Sequence, residues 1–136
     1  MNPNERIVIV GGGPGGLSTA RAYREAGGRG EVILLSAESY LPYERPPLTK
    51  EFLRGEVERD ELPMQDAAWF EENNIEARLA TTVNGLDRER RVLETEDGDV
   101  PYDACVLATG SEPIRIPVPG GDDPEILVMR TIENSE

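Results

Sequence analysis

Histidine is absent from the sequence, and cysteine occurs once, at Cys105. Without histidine the chain cannot use His-based acid–base catalysis, a Ser-His triad or a His-ligated metal, so no metal site is predicted. A single cysteine excludes an internal disulfide and any CxxC or CxxxxC redox pair, as is usual in a reducing, cytoplasmic compartment. Because Cys105 lies within the apolar stretch DACVLAT, we interpret it as a small core residue rather than a nucleophile.

Basic residues and long apolar runs are scarce too. The chain has 14 Lys and Arg against 27 Asp and Glu, a formal net charge of −13. This charge repels polyphosphate backbones and anionic membrane surfaces, so neither nucleic acid nor membrane is an expected partner. The start, MNPNERIVIV, has no long apolar run and no small-residue cleavage site, so it predicts neither a signal peptide nor a membrane span.

The first 35 residues predict a βαβ unit. Arg6–Val10 is a β-branched run typical of a strand buried on both faces. Glycines follow at 11–16, and LSTARAYREAG then predicts a helix that ends at Gly27 and Gly28. Glu31–Leu35 is a second apolar strand. Two strands joined by one helix within about thirty residues indicate a parallel pair with a crossover connection.

The remaining segments complete the predicted α/β fold. LTKEFLRG and DAAWFEENN predict short helices, and IEARLATTVNGLD and RRVLETEDGDV predict strands, with a turn at Asp97-Gly98. PYDACVLATG is apolar enough for a central strand, ILVMR predicts one more strand, and a helix begins near TIENSE. We therefore predict a Rossmann-like domain, with a parallel sheet, a crossover helix and a small antiparallel β-meander.

A GxGxxG pattern is formed by Gly11, Gly13 and Gly16, with Pro14 and Gly15 between the last two. In dinucleotide-binding domains the first glycine allows a tight turn, the second allows the backbone to approach a pyrophosphate, and the third allows helix and strand to pack closely. The helix that follows offers unpaired N–H groups and a partial positive charge. Because the pattern directly follows a strand and opens a helix, it indicates dinucleotide binding rather than a merely tight turn.

The same fingerprint requires an acidic residue about 20 positions further on, to bind ribose hydroxyls. Glu38 follows Gly16 by 22 residues and lies just beyond the second predicted strand. Glu38 is thus the candidate ribose ligand. The alternative is that it is one surface acid among 27.

The segment LPYERPPLTK, Leu41–Lys50, places two cations around two prolines. Joined to VGGGPGG upstream and to LPM…VNGLD…DGDVPYDACVLATGSEPIRIPVPG…RTIEN downstream, it resembles the FAD-dependent pyridine nucleotide-disulfide oxidoreductase superfamily. Within that superfamily the chain is most similar to the ferredoxin, rubredoxin and putidaredoxin reductases. The resemblance covers essentially the whole chain, with its motifs in the family's order and spacing.

The resemblance implies a flavin contact for this segment. In the family the helix opened by R-P-P-L-[ST]-K lies under the flavin, and its lysine reaches the isoalloxazine near N5. Lys50 matches that lysine, which makes it the candidate catalytic residue, and Arg45 matches the preceding arginine. Pro46 and Pro47 fix φ and suit a first helical turn, so both cations are presented with little entropy left to lose. A cation near a reduced, anionic flavin favours it electrostatically.

Other family positions carry over to this chain as expectations. Val83 matches the residue whose backbone binds the adenine edge. The family's ATG, which ends a central strand beside the pyrophosphate, is matched by Ala108, Thr109 and Gly110. Arg130 matches the arginine of an LRT segment near the cofactor, although a plain surface cation is an equal alternative.

The sequence departs from the family pattern in two places. Several relatives carry an acid where this chain has Ala37, which leaves the ribose contact to Glu38 or to the backbone at Ala37. The disulfide-reductase branch needs a redox cysteine pair, and this chain has one cysteine, so that branch is disfavoured.

The resemblance implies that residues 1–136 are the N-terminal part of an incomplete FAD-binding domain, without the NAD(P)H-binding and C-terminal domains. The whole enzyme would pass hydride from NAD(P)H to flavin N5 and then single electrons to a small iron–sulfur carrier. A stand-alone FAD- or adenine-nucleotide-binding module, alone or with a separate partner chain, is the alternative, and a homo-oligomer stays open. A small NAD-dependent dehydrogenase is disfavoured by the flavin-type segment and by the lack of a Tyr-xxx-Lys pattern.

Overall fold

The computed structural model describes residues 4–136. Over these residues the chain divides into two compact units. The first unit runs to Tyr43 and resumes over Pro63–Gly110, and the second consists of Glu44–Leu62 and Ser111–Glu136.

A parallel sheet forms the centre of the first unit. Within the described residues its strands are β1 (Arg6–Val10), β2 (Glu31–Leu35), β3 (Ile75–Arg78) and β7 (Ala104–Leu107), in the order β3-β2-β1-β7. Residue pairs run in register along each neighbouring pair, for example Val8 with Ile33 and Val8 with Cys105. The predicted parallel βαβ unit is confirmed.

Helix α1 (Pro14–Glu25) connects β1 to β2. It begins with proline in its first turn, where the missing N–H costs no helical hydrogen bond. The chain leaves the helix through Gly27, which has φ +82°, and the Gly28 N–H donates to the Tyr23 carbonyl at 2.9 Å. Glycine adopts this left-handed conformation without a Cβ penalty, so the predicted stop is confirmed.

Helix α2 (Ala67–Glu72) confirms the helix predicted from DAAWFEENN. The Asp66 carboxylate caps its start by accepting a hydrogen bond from the Trp69 N–H at 2.9 Å. The predicted meander is the antiparallel sheet β4-β5-β6, formed by β4 (Val83–Asp87), β5 (Val92–Thr95) and β6 (Gly98–Pro101). The turn between β5 and β6 lies at Glu96 and Asp97, and Gly98, with φ +116°, follows it as the first residue of β6.

The parallel sheet buries both of its faces because successive residues of a strand point to opposite sides. One buried cluster joins the sheet to the helices: Ile7, Ile9, Leu17, Ala20, Val32, Leu34, Phe70 and Ile75. The other joins it to the antiparallel sheet: Val8, Val10, Ile33, Leu35, Leu93 and Val100. The predicted α/β class, a Rossmann-like parallel sheet with an added meander, is confirmed.

The prediction that β7 is a central strand is wrong for the described residues. β7 pairs with β1 on one side, and no other strand in residues 4–136 pairs with its second edge. Leu107 is accordingly 62% exposed. An apolar sequence indicates that a strand can be buried, but pairing depends on whether a neighbour lies on each side.

The second unit holds short helical turns and irregular chain. Its elements are 3₁₀ helices at Pro46–Thr49 and Arg59–Glu61 and the helix α3 (Ile132–Ser135). The short helix predicted over LTKEFLRG is confirmed only at its start, where Leu48 and Thr49 belong to the first 3₁₀ helix. Turns follow, and their hydrogen bonds have mixed spacing: Phe52 N–H donates to the Pro47 carbonyl, and Arg54 N–H to the Lys50 carbonyl. ILVMR forms no strand either, and Leu127 is 85% exposed there. The helix predicted near TIENSE is confirmed as α3.

Candidate dinucleotide-binding site

The site is built where the carboxyl ends of parallel strands meet. The Gly11 N–H, just after β1, donates to the Leu35 carbonyl at the end of β2 at 2.8 Å. On the other side the Ala108 N–H, just after β7, donates to the Val10 carbonyl, also at 2.8 Å. The chain leaves β1 for β2 on one side and has β7 on the other, so β1 and β7 flank a topological switch point. Open parallel sheets bind ligands in the crevice at such points.

Gly11 and Gly16 are required by close backbone contacts. Gly11 has φ +126°, and a Cβ built there would stand 2.1 Å from the Ala108 carbonyl oxygen. A Cβ on Gly16 would stand 2.0 Å from the Gly11 carbonyl oxygen. The tight turn and the close strand–helix packing predicted for the first and third glycines are therefore present in the geometry.

Gly13 has the opposite environment. It is the residue before α1, and a Cβ built on it would meet no atom within 4 Å. The first turn of α1 carries no acidic side chain, and no side chain caps its N–H groups. Pro14 and Gly15 lie exposed beside this opening, with a Gly15 Cβ only in ordinary contact with Ala108, at 3.8 Å. Open space beside uncapped N–H groups and the positive end of a helix fits a pyrophosphate.

Ser36 directly follows β2 and packs against the glycine loop at Gly12. The sequence patterns did not indicate this contact. Ser36 is 3% exposed, and a Cβ on Gly12 would stand 2.2 Å from its Oγ. The Ser36 backbone is held by the Arg78 carbonyl at 2.9 Å and the Thr81 N–H at 2.7 Å. A small residue directly after the second strand is the signal that could have indicated this close approach.

Glu38 is half-buried just beyond β2, whereas Ala37 is exposed. The Glu38 carboxylate accepts a hydrogen bond of 2.5 Å from the Tyr43 hydroxyl. No sequence pattern indicated this contact. The ribose role of Glu38, and any backbone role of Ala37, stay predictions.

The other residues predicted near the adenine and pyrophosphate lie in the first unit as well. Val83 begins β4, pairs with Thr95 and packs its side chain against the cluster below the antiparallel sheet. Thr109 and Gly110 follow Ala108 at the end of β7, where both are exposed and Gly110 has φ +76°. Their cofactor contacts stay predictions.

The residues predicted to face the flavin lie in the second unit. Arg45 directly precedes the Pro46–Thr49 helix, and its Nη1 donates to the Arg130 carbonyl at 2.5 Å. The structure thus joins Arg45 to Arg130 through the Arg130 backbone. Lys50 ends the helix and is exposed, and within residues 4–136 its ammonium makes no ion pair or hydrogen bond. A flavin contact for these three cations stays a prediction.

Cys105 lies in β7 and is half-buried against the cluster beside the antiparallel sheet. Burial raises the pKa of its thiol. A raised pKa disfavours the thiolate, which agrees with a packing role. Over the part of the chain described, no cluster of acidic and cysteine side chains could hold a metal ion.

A sheet with this switch point and a glycine loop open at Gly13 define the class of protein: a dinucleotide-binding α/β protein. The family model for pyridine nucleotide-disulphide oxidoreductases matches residues 5–136. The chain belongs to that family, as its motifs indicated. Proteins of this family depend on FAD and NAD(P)H, which confirms the predicted cofactors.

The chain is similar along its length to reductases of small redox proteins. It is 37% identical over 137 residues to the "Probable ferredoxin reductase CtmF" of Castellaniella defragrans, covering 100% of this chain and 34% of that protein. It is 35% identical over 131 residues to a rubredoxin-NAD(+) reductase of Pseudomonas putida, covering 96% of this chain and 34% of the relative. The chain thus spans about a third of the length of these relatives.

A solved structure supports the same branch. The reductase in the crystal structure of the covalent putidaredoxin reductase–putidaredoxin complex matches with a TM-score of 0.87 and 31% identity. The match covers 98% of this chain and 33% of that one. Among residues 4–136, no helix is long and apolar enough to cross a membrane.

Proposed function

We propose that this chain is the N-terminal FAD-binding portion of an NAD(P)H-dependent reductase that passes electrons through FAD to a small iron–sulfur protein. The observation that carries the proposal is the open space at Gly13, beside uncapped N–H groups at the switch point of the sheet. Similarity to ferredoxin and rubredoxin reductases along the chain supports the reaction class. A related putidaredoxin reductase forms a complex with putidaredoxin, which supports a small redox protein as the partner.

Different residues of the chain would bind different parts of FAD. Backbone N–H groups at the start of α1 would hold the pyrophosphate, Glu38 the ribose and the Val83 backbone the adenine edge. Lys50, Arg45 and Arg130 would provide positive charge for the flavin. Bound FAD supplies two-electron chemistry toward NAD(P)H and one-electron chemistry toward the carrier. We assign the NAD(P)H site to a part of the protein outside residues 1–136, since this sequence has one GxGxxG motif.

Cofactor uptake and reduction test this proposal. The purified chain, incubated with FAD and desalted, is expected to stay yellow and to show flavin absorbance. Under anaerobic conditions dithionite should bleach the bound flavin, whereas NADH should not, because the nicotinamide site lies elsewhere. A colourless protein that binds NADH and ignores FAD would contradict the proposal and favour a small NAD-dependent dehydrogenase.

Replacing Lys50 with Met is expected to lower the reduction potential of the bound flavin without destabilising the protein. The ammonium would stabilise the anionic reduced flavin, and its loss should cost about 1.4 kcal/mol, or about 30 mV for a two-electron couple. Because Lys50 is exposed and unpaired within residues 4–136, Tm should stay unchanged. The measurement is the midpoint potential by dye equilibration. Lys50→Arg is the charge-preserving control, and equal potentials in all three proteins would contradict the role of Lys50.

A further inference from the structure

The hydroxyl of Tyr43 donates a hydrogen bond to Glu38, the candidate ribose ligand. The Tyr43 side chain is 3% exposed, and its hydroxyl donates to Glu38 Oε2 at 2.5 Å. Glu38 itself lies three residues beyond the end of β2, at the carboxyl edge of the parallel sheet. The contact therefore involves the part of the molecule where a dinucleotide ribose is expected.

The phenol of Tyr43 has little freedom to move. The Tyr43 backbone forms a β-bridge with Pro63, and the Pro42 carbonyl accepts from the Met64 N–H at 2.8 Å. The ring also makes an edge-to-face contact with Tyr40, with centroids 6.5 Å apart. A donor fixed in this way holds its acceptor in one orientation before any ligand arrives.

The Glu38 backbone is fixed as well. Its carbonyl accepts a hydrogen bond of 3.0 Å from the Ala80 N–H. An ionised carboxylate has about four lone-pair sites on its two oxygens, so it can accept from a tyrosine hydroxyl and from ribose hydroxyls at the same time. The neighbouring side chain, Ala37, has no polar group to supply in its place.

We propose that Tyr43 is a positioning residue, whose hydroxyl orients the Glu38 carboxylate to bind the ribose hydroxyls of an adenine nucleotide. The inference rests on the proposed function, because it deepens how that site recognises its cofactor. Because the carboxylate is ordered before binding, Tyr43 strengthens binding of the ribose hydroxyls and leaves the affinity for the rest of the nucleotide unchanged. Loss of the hydroxyl lets the carboxylate leave its binding orientation.

The test compares nucleotides that differ only in the ribose hydroxyls. FAD uptake is measured first, and then the affinities of the chain for ADP and for 2′,3′-dideoxy-ADP are measured by calorimetry. Tyr43→Phe should reduce the ratio of the two affinities by roughly 3- to 10-fold, the range for one hydrogen bond, with the dideoxy affinity unchanged. Glu38→Ala should bring the ratio close to one. The double variant should resemble Glu38→Ala, because the two residues act as a unit.

Tyr23→Phe is the matched control. The Tyr23 hydroxyl accepts a hydrogen bond of 2.9 Å from the Gly30 N–H near the amino end of β2. The control should lower Tm but keep the wild-type ratio of the two affinities.

If Tyr43→Phe weakens the binding of both nucleotides equally or leaves the ratio of their affinities unchanged, the hydroxyl has no positioning role and the inference is overturned. If the wild-type chain binds FAD but does not discriminate the two nucleotides, the inference fails and the proposed function stands. If it binds no nucleotide at all, the proposed function fails too.

Discussion

Gly16→Ala is expected to prevent stable folding of the first unit, whereas Gly13→Ala is expected to fold normally and lose FAD. A methyl group on Gly16 would stand 2.0 Å from the Gly11 carbonyl oxygen, 3.2 Å from the carbon of that carbonyl and 3.4 Å from Ile9 Cγ2. The first of these neighbours is backbone at the end of a buried strand, so it cannot move aside without breaking the turn. Overpacking of this kind costs about 3 kcal/mol or more, a large part of the roughly 5–15 kcal/mol that stabilises a domain.

The same methyl group at Gly13 meets nothing within 4 Å. Gly13 has φ −97°, which alanine adopts without strain, so Tm should change little. The methyl would instead occupy the space in which a pyrophosphate would approach the backbone. We expect FAD affinity to fall by about 1–3 kcal/mol, or roughly 5- to 150-fold.

Urea unfolding and FAD titration of both variants measure these effects. Each variant is a control for the other, because the substitution is identical and the two positions lie in one loop. A Gly16→Ala chain as stable as the wild type would contradict the packing described for the loop. If the Gly13→Ala chain is folded and retains full FAD affinity, the pyrophosphate does not bind beside Gly13.

The βαβ unit and its glycine loop are predictable from sequence because several independent signals coincide there. β-Branched residues of β1, the glycines after it and the Gly27-Gly28 stop each indicate the same boundaries. The roles of Gly11 and Gly16 follow from fixed spacing within one turn. Local pattern therefore determines this part of the structure, and the prediction from it is confirmed.

Contacts between distant segments could not be predicted in the same way. The Arg45 guanidinium binds the carbonyl of Arg130, 85 residues away, and Tyr43 binds Glu38 across a turn with no periodic pattern. The apolar run of β7 was equally compatible with a central or an edge position, because composition reports burial and not the number of strand neighbours. Similarly, the two prolines of Pro46–Thr49 fix φ but do not decide between 3₁₀ and α-helical hydrogen bonds.

Arg24→Met is expected to be among the most destabilising substitutions in α1, without an effect on cofactor affinity. Arg24 Nε donates to the Asn73 carbonyl at 2.7 Å and Nη2 donates to the Asn74 carbonyl at 2.6 Å. Nη1 donates to the Gly28 and Gly30 carbonyls, at 3.0 and 2.8 Å. One planar side chain thus joins the end of α1 to the segments that enter β2 and β3.

Methionine keeps much of the apolar stem but leaves these carbonyls without their donor. Because three of the four hydrogen bonds, those to Asn73, Gly28 and Gly30, are partly buried, we expect a loss of about 2–4 kcal/mol in the free energy of unfolding. At about 2–4 °C of Tm per kcal/mol the change is easily measured by thermal and urea denaturation. Arg24→Lys should be intermediate, since an ammonium has three donors on one nitrogen and cannot reproduce the planar fork.

Arg21→Met is the matched control on the same helix. The Arg21 guanidinium lies over the Trp69 ring at 5.3 Å and makes none of these carbonyl contacts, so its loss should cost about 0.5–1 kcal/mol. Arg24 acts where β2 and β3 begin, whereas the glycine loop follows the end of β1. FAD affinity, corrected for the folded fraction, should therefore be the same in all of these variants. If the corrected FAD affinity falls for Arg24→Met alone, the amino and carboxyl ends of the sheet are energetically coupled. That result would contradict a cofactor site confined to the carboxyl ends of the strands.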